Sequence, residues 1–288
     1  MVTILSNTQL NDIIWQMDLE APRIARKGLA GQFVIVMVDD YGERIPLTLA
    51  DMDPVGERIT LVYQVSGKTS LQLSQVEAGE QLSHVVGPLG HPAEVQEYGT
   101  VVLLGGGCGV APVHAQAKAF KDGGNEVISI LGFRSSDLVF WEDKMETVSD
   151  ELIICTDDGS RGFHGFTTQA LESQIEQGRE IDRVISIGPL IMMANTVKVT
   201  RPHYIPTIVS LNAIMVDGTG MCGSCRVSTT DGTKFSCVDG PDMNGFQIDF
   251  DELLSRNSRF HEQEAISLEH FKKECKCKQA VQEVEKCK

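Results

Sequence analysis

From Thr100 to Pro189 the sequence alternates apolar runs with stretches of helical period: TVVLLGGG, a helical segment from about Ala111 to Lys121, EVISILGF, a helical segment near Trp141, ELIICTDD, another helical segment from Thr167 to Gln177, and DRVISIGP. Strands that are apolar at nearly every position are buried on both faces, and parallel sheets sandwiched between helices are where such strands occur. Parallel neighbours also need a crossover long enough to hold a helix, which the intervening segments supply. The pattern predicts a doubly wound α/β domain over residues 98–200.

Residues 1–97 follow a different rule. Short β-branched runs, GQFVIVMV, RIPLTLA, RITLVYQV and HVVGPLG, are punctuated by Gly and Pro. Closely spaced strands of this kind predict a small antiparallel β barrel. Beyond Thr200 the chain turns Gly- and Cys-rich, which gives a compact module over residues 201–250, and it ends in a helical tail over 251–288. The closing stretch KKECKCKQAVQEVEKCK is rich in Lys and Glu and reads as a solvated helix.

With 288 residues the chain is long enough for two compact domains or three small ones, and its formal charge is −15. That charge argues against a nucleic-acid partner, whose affinity rests on Lys and Arg neutralising phosphates, and disfavours an anionic membrane surface likewise. No run of about eighteen apolar residues offers a membrane span. The opening MVTILSNTQLNDIIW lacks the basic segment and apolar stretch of a secretory leader, so a cytoplasmic location is expected. Eight cysteines in such a chain point to metal or redox chemistry rather than to a disulfide framework. They fall into a cluster of Cys222, Cys225 and Cys237, a tail group of Cys275, Cys277 and Cys287 with no assigned role, and the isolated Cys108 and Cys155.

The first apolar strand of the α/β segment runs into Gly105-Gly106-Gly107-Cys108-Gly109-Val110-Ala111-Pro112. A glycine loop between strand and helix lets phosphate oxygens approach backbone N–H groups and the helix N-terminus, although glycines also serve tight turns that hold no ligand. Two more strand ends carry polar or glycine-bearing loops, Thr156-Asp157-Asp158-Gly159-Ser160 and Gly188-Pro189. In a doubly wound sheet ligands bind beyond the carboxyl ends of the strands. Gly105, Gly106, Gly107, Gly109, Ala111, Pro112, Asp157, Asp158, Gly188 and Pro189 are therefore the candidate nucleotide-binding residues. Cys108 has no partnered base in sequence and reads as loop packing, and Met192 and Met193 read as helix-face residues filling core space.

In the barrel segment, Arg44-Ile45-Pro46-Leu47-Thr48 sets a guanidinium and a hydroxyl four residues apart at a strand, and so on one face. Further on, Gln64-Val65-Ser66-Gly67-Lys68-Thr69-Ser70 ends a strand in a turn rich in donors suited to a pyrophosphate. Taken singly, Arg44 is more often a surface charge and Thr48 a strand filler. The order of Gly31-Gln32-Phe33, Arg44-x-Pro46-Leu47-Thr48, Gly67-Lys68-Thr69-Ser70, Gly87-Pro88-Leu89-Gly90, Gly105-Gly106-Gly107-x-Gly109-x-Ala111-Pro112 and Gly188-Pro189 resembles the ferredoxin–NADP reductase superfamily over about residues 1–200. The resemblance implies an FAD-binding barrel followed by a nicotinamide-binding domain. Arg44 would face flavin phosphate, Thr48 the reactive ring, and Gly67, Lys68, Thr69 and Ser70 the pyrophosphate, with Pro46, Leu47, Val62 and Gln64 completing the flavin's bed. Leu47 stands where many relatives carry an aromatic residue that stacks on the flavin.

In the third segment, Asp217-Gly218-Thr219-Gly220-Met221-Cys222-Gly223-Ser224-Cys225 is followed by Cys237 twelve residues on. Plant-type [2Fe–2S] sites follow C-x4-C-x2-C with one remote Cys, and in that register Asp217 takes the first ligand position. A carboxylate can ligate iron, so the register predicts a cluster held by Asp217, Cys222, Cys225 and Cys237, the harder oxygen tuning its potential. The same four donors would also satisfy a structural zinc ion, which makes a zinc-stabilised interaction module the non-enzymatic alternative.

With this module appended, the chain resembles over nearly its full length two families of electron-transfer subunit. One is that of dihydroorotate dehydrogenase. The other is the small subunit of NADH-dependent reduced ferredoxin:NADP oxidoreductase, also described as sulfide dehydrogenase. The former typically presents four cysteines, whereas Asp217-x4-Cys222-x2-Cys225-x11-Cys237 followed by Val238-Asp239-Gly240-Pro241 resembles the latter. That resemblance implies FAD, a [2Fe–2S] cluster and NAD(H) as cofactors, and a heterodimer with a large subunit carrying another FAD and more iron–sulfur clusters. It also implies coupling of NAD(H), NADP(H) and ferredoxin by flavin-based electron bifurcation. Dihydroorotate or polysulfide chemistry is the alternative use of the same cofactors, decided by the partner. No catalytic acid, base or nucleophile is assigned, since a chain of carriers works by positioning and potential. Arg134-Ser135, after the second strand of the α/β segment, has the chemistry to clamp a 2′-phosphate, whereas the family implies NAD(H).

Overall fold

The N-terminal runs form β1 (Val2–Gln9), β2 (Ile14–Glu20), β3 (Phe33–Met37), β4 (Ile45–Asp53), β5 (Arg58–Gln64), β6 (Gln81–Leu82) and β7 (His84–Leu89), with short helices α1 (Pro22–Lys27) and α2 (Lys68–Leu73) among them. This is a computed structural model, which describes the backbone over residues 1–286 and side chains through Lys273. Cys287 and the side chains of Cys275 and Cys277 lie outside the described residues. The seven strands pair antiparallel in the order β6-β1-β2-β5-β4-β3-β7. Only Ser83 separates β6 from β7, the two ends of that order, so the chain draws its own sheet edges together into a nearly closed barrel. Alternate residues fill the interior: Met17 and Leu19, Val34 and Val36, and Ile59, Leu61 and Tyr63.

The α/β part contains β8 (Thr100–Gly106), α3 (Val110–Asp122), β9 (Glu126–Phe133), α4 (Glu142–Val148), β10 (Glu151–Thr156), β11 (Phe163–His164), α5 (Thr167–Glu176), β12 (Arg183–Ile187), α6 (Leu190–Thr200) and β13 (Thr207–Ser210). The strands run parallel in the order β11-β10-β9-β8-β12-β13. Two-sided burial explains the apolar runs. Val101 and Leu103 pack with Val113, Ala117 and Met145 of α3 and α4, while Val102 and Leu104 pack with Ala170 and Leu171 of α5. The winding reverses between β8 and β12, the kind of switch point where such sheets hold ligands.

After β13 come β14 (Arg226–Thr229), β15 (Gly232–Phe235), α7 (Ser236–Asp239), β16 (Asp242–Asn244), α8 (Phe250–Asn257) and α9 (His261–Lys286). β14 and β15 form a hairpin, and β16 adds antiparallel to β13, so the last segment extends the edge of the α/β sheet. One core joins the parts: Phe33 and Ile35 of β3, Leu190, Met193 and Val197 of α6, and Leu211, Met215, Cys225, Val227 and Cys237. Among the described residues no helix is long and apolar enough to cross a membrane.

The barrel meets the α/β part through specific polar contacts. Trp141 Nε1 donates to Gln16 Oε1 at 3.1 Å, and Asn11 Nδ2 donates to the Leu138 carbonyl at 2.8 Å. His114 of α3 lies edge-on to Trp141 with Nδ1 3.3 Å from the Ala50 carbonyl, and burial lowers its pKa.

A second seam ties α3 to β16, where Gln116 Nε2 donates to Asp242 Oδ2 at 2.8 Å. Burial raises the Asp242 pKa, opposed by hydrogen bonds from Ser210 and Gln116 and by the charge of Arg183. A carboxyl raised on folding holds its proton longer in the folded chain, so stability is lost as pH climbs from the unfolded value of about 3.9 through the raised one. Asp242→Asn removes that penalty. In thermal unfolding its Tm is expected to exceed wild type by about 2–4 °C at pH 7 and to match it near pH 4; equal Tm values at both pH values would show that Asp242 carries no such penalty.

Candidate redox-cofactor site

At the switch point the glycine loop after β8 and the turn after β12 interlock. A Cβ on Gly109 would stand 2.2 Å from the Ile187 carbonyl oxygen and 3.0 Å from Gly188 Cα, and one on Gly106 would stand 2.8 Å from Pro189 Cδ. Gly107 differs: its φ is +51°, and nothing lies within 4 Å of its Cβ position. The loop is thus closed on the protein side and open on the other, the shape a phosphate cradle needs. Ala111 is buried, and Pro112 sits in the first turn of α3, where a missing N–H costs little. Asp157 and Asp158 are exposed, and their N–H groups donate to the Phe133 and Arg134 carbonyls at 3.0 and 3.2 Å, tying the loops after β9 and β10 together. The Ser160 hydroxyl and N–H donate to Asp158 and hold its carboxyl below the ordinary range.

In the barrel the structure revises three expectations. Arg44 is exposed just ahead of β4, so it does not share a strand face with Thr48. Gly67–Ser70 is the opening of α2 rather than a plain turn: the Ser70 hydroxyl accepts the N–H groups of Ser66 and Gly67 at 3.0 Å and caps the helix. Leu47 faces the barrel interior, opposite Val34, because Ile45 and Leu47 supply the apolar half of a period-two strand. It cannot stand in for a stacking aromatic ring. Pro46 and Thr48 occupy the other face, with Thr48 opposite Phe33.

Around α2, nothing lies within 4 Å of a Cβ position on Gly67, Lys68 is half-buried, and Thr69 donates to Glu43 at 2.8 Å. Val62 packs into the core between barrel and α/β part, and its carbonyl lies 3.5 Å from Cys108 Sγ, while Gln64 is exposed at the end of β5. Burial pushes the Cys108 thiol up to about 12, which fits packing rather than nucleophilic attack.

The loop from Asp217 to Cys225 turns on Gly218, Gly220 and Gly223, whose φ values are +74°, +86° and +67°. Asp217 organises it: its carboxylate accepts the N–H of Thr219 at 2.6 Å and of Cys222 at 2.7 Å, and these bonds hold its pKa down. Cys222 is exposed, and its Sγ accepts the Ser224 N–H at 3.4 Å. Cys225 and Cys237 are buried with Sγ atoms 3.2 Å apart, and burial and the neighbouring Cys225 raise the Cys237 pKa. The donors fall into two pairs, Asp217 with Cys222 and Cys225 with Cys237, which suits a two-iron cluster with two protein ligands per iron. Among the described residues no three His, Cys, Asp or Glu side chains are drawn together as one metal-binding group, these four included.

Two contributors escape motif reading. Arg256 Nη2 donates to the Ser224 carbonyl at 3.0 Å and braces the loop from α8. Ile35 and Leu89 form the wall on which the loop closes, since a Cβ on Gly218 would stand 2.8 Å from Ile35 Cγ1 and 3.1 Å from Leu89 Cδ1. That wall does leave a trace in sequence: β3 is Phe-Val-Ile-Val-Met, buried at all five positions, where a barrel strand facing solvent would alternate.

A flavin-reductase-type barrel, a doubly wound domain with an open glycine loop and a cysteine-bearing loop between them define an electron-transfer protein with a ferredoxin-reductase-like fold. The family model for the iron–sulfur cluster binding domain of dihydroorotate dehydrogenase B matches residues 212–249. A Thermotoga maritima homologue of the dihydroorotate dehydrogenase B (NAD(+)) electron transfer subunit is 42% identical over 94% of this chain and 95% of its own. The electron transfer subunit itself from Bacillus pumilus is 32% identical over 83% of this chain and 94% of its own. Among solved structures, NADH-dependent reduced ferredoxin-NADP oxidoreductase, described in terms of flavin-based electron bifurcation, superposes with a TM-score of 0.90 at 40% identity, over 94% of this chain and 98% of that one. The chain belongs to the family of dihydroorotate dehydrogenase B electron-transfer subunits.

Proposed function

We propose that this chain carries FAD, NAD(H) and a [2Fe–2S] cluster, and passes electrons among them and on to a large flavin and iron–sulfur partner subunit. In the assembled complex, NAD(H), NADP(H) and ferredoxin would be coupled by electron bifurcation. The observation that carries this reading is a shared wall. The outer face of β3 bears Phe33, opposite Thr48, and Ile35, on which the Asp217–Cys225 loop closes. Candidate flavin residues and candidate cluster ligands thus lie along one strand face.

A bound flavin supplies the exchange of electron pairs with nicotinamide and of single electrons with a cluster. The chain's own residues hold and orient. The N–H groups of Gly105–Gly109 would receive the nucleotide's pyrophosphate, with Gly188 and Pro189 closing one side and Asp157 and Asp158 on the rim. Gly67, Lys68, Thr69 and Ser70 at the start of α2, with Arg44, would hold the flavin's phosphates, and Pro46, Thr48, Val62 and Gln64 would border the rest of that group. Asp217, Cys222, Cys225 and Cys237 would ligate the cluster. Asp217 in place of a fourth cysteine favours the ferredoxin–NADP reading over dihydroorotate chemistry.

The direct test is anaerobic purification followed by flavin extraction, iron and sulfide analysis and NADH titration. One FAD, two irons and an electron paramagnetic resonance signal that grows as NADH bleaches the flavin are expected; a colourless, zinc-loaded protein would overturn the proposal. Nucleotide choice gives a separate prediction. The similarity to NAD(+)- and NADH-dependent relatives favours NAD(H), so kcat/KM for NADH is expected to exceed that for NADPH by about tenfold or more. The reverse preference would assign Arg134 to a 2′-phosphate.

A further inference from the structure

Three arginines meet beside the cluster loop: Arg226 at the start of β14, Arg256 on α8 and Arg259 just beyond it. With Ser224, Asn257 and Phe260 they line one depression whose free volume is about 10 Å³, roughly the room of a single water. Arg256 is 9% exposed and already spends one N–H on the Ser224 carbonyl, whereas Arg226 and Arg259 are exposed. None of the three forms an ion pair among the described residues, although the chain carries 40 acidic side chains against 25 Lys and Arg.

Burial holds the Arg256 pKa below its usual value, and the charges of Arg226 and Arg259 add to that against the opposing charges of Glu252 and Cys225. Arginine stems often cover apolar surface while their heads reach water. Packing of that kind accounts for Arg256, and Arg259 lies 6.0 Å over the Phe260 ring, but neither gives the exposed guanidiniums of Arg226 and Arg259 a counter-charge. The planar, donor-only fork of arginine matches the oxygen pairs of carboxylates and phosphates, and exposed forks gathered at the mouth of one depression offer donors to one such group from the solvent side.

We propose that Arg226, Arg256 and Arg259 form an oxyanion-binding site beside the cluster loop, for a carboxylate or a phosphate-type group. The site is wired to the loop by short contacts: Arg256 to the Ser224 carbonyl, and the Ser224 N–H to Cys222 Sγ at 3.4 Å. Two sources carry this chemistry, free inorganic phosphate and an acidic side chain of the partner subunit.

The test is isothermal titration calorimetry of the holoprotein with inorganic phosphate and with acetate, chloride holding the ionic strength constant. Saturable one-to-one binding is expected for at least one probe. Arg226→Gln should weaken it about tenfold, and Arg226→Gln with Arg259→Gln should abolish it, while Arg226→Lys should cost less than Arg226→Gln. Absence of saturable binding of both probes to the wild-type chain, or unchanged binding in the double variant, would overturn the proposal. Repeating the titration on the assembled complex assigns the source. Phosphate binding that survives assembly marks a free anion, whereas binding lost on assembly, with Arg226→Glu and Arg259→Glu weakening assembly, marks a carboxylate of the partner. Flavin reduction by NADH and the cluster signal, recorded on the same variants, are independent of this outcome, so failure of the anion site and failure of the proposed function are told apart.

Discussion

Cys225→Ala is expected to yield a protein that is yellow rather than yellow-brown, with iron and sulfide at background, no electron paramagnetic resonance signal after reduction, and a flavin that NADH still bleaches. Cys225 and Cys237 are each 2% exposed and meet inside the core that joins β3, α6 and the last segment. Removing one thiol therefore strips a ligand and opens a cavity at the same point. Metal–thiolate ligation in small domains is worth on the order of 10 kcal/mol of folding free energy, well beyond the few kcal/mol of a lost buried side chain. The segment after Thr200 has little sheet of its own beyond the β14–β15 hairpin and β16, so limited proteolysis should nick it first while the barrel survives. Cys155→Ala is the control. That thiol is also fully buried, in β10 and away from the loop, and its loss should cost some stability and no iron. Full iron content in Cys225→Ala would remove that residue from the ligand set.

How much of this was legible in the sequence varied with how local the cause was. The α/β part declared itself because two-sided burial forces apolar residues at successive positions, as Val101, Val102, Leu103 and Leu104 show by packing on opposite faces in turn. β1 and β2 are harder to see, since Asn7, Thr8, Gln9, Gln16 and Asp18 dilute their apolar alternation. The last parallel strand, β13, has only four residues and lies past Thr200, where composition had already changed. In the site, the spacing of Asp217, Cys222, Cys225 and Cys237 follows from one loop and one remote arm, and glycines at positive φ are its local signature. The face of Leu47 was not legible from its motif, because which half of a period-two strand turns inward depends on its neighbours across the sheet. Arg256 was invisible for the same kind of reason: its hydrogen bond to Ser224 spans 32 residues of sequence.

The glycine loop gives the other large expected effect. Gly109→Ala should raise the KM for NADH by about tenfold or more and lower Tm, with flavin content and the cluster signal unchanged. The added Cβ would lie 2.2 Å from the carbonyl oxygen of Ile187, which ends β12 directly across from Gly105. Nothing flexible is available to yield there, so either the loop or the strand end must move. Overpacking of this kind costs about 1–3 kcal/mol, and a displaced loop no longer aims its N–H groups at a common point. Gly107→Ala separates packing from binding. Its Cβ would meet nothing within 4 Å, but it would project toward the open side of the loop from a residue at φ +51°, a backbone conformation that costs about 1–2 kcal/mol for a residue with a side chain. Both variants should therefore lose NADH affinity, and only Gly109→Ala should also disturb the Gly188–Pro189 turn, seen as faster amide exchange there. An unchanged KM in both would remove the loop from the nucleotide site, since the two substitutions press on it from opposite sides.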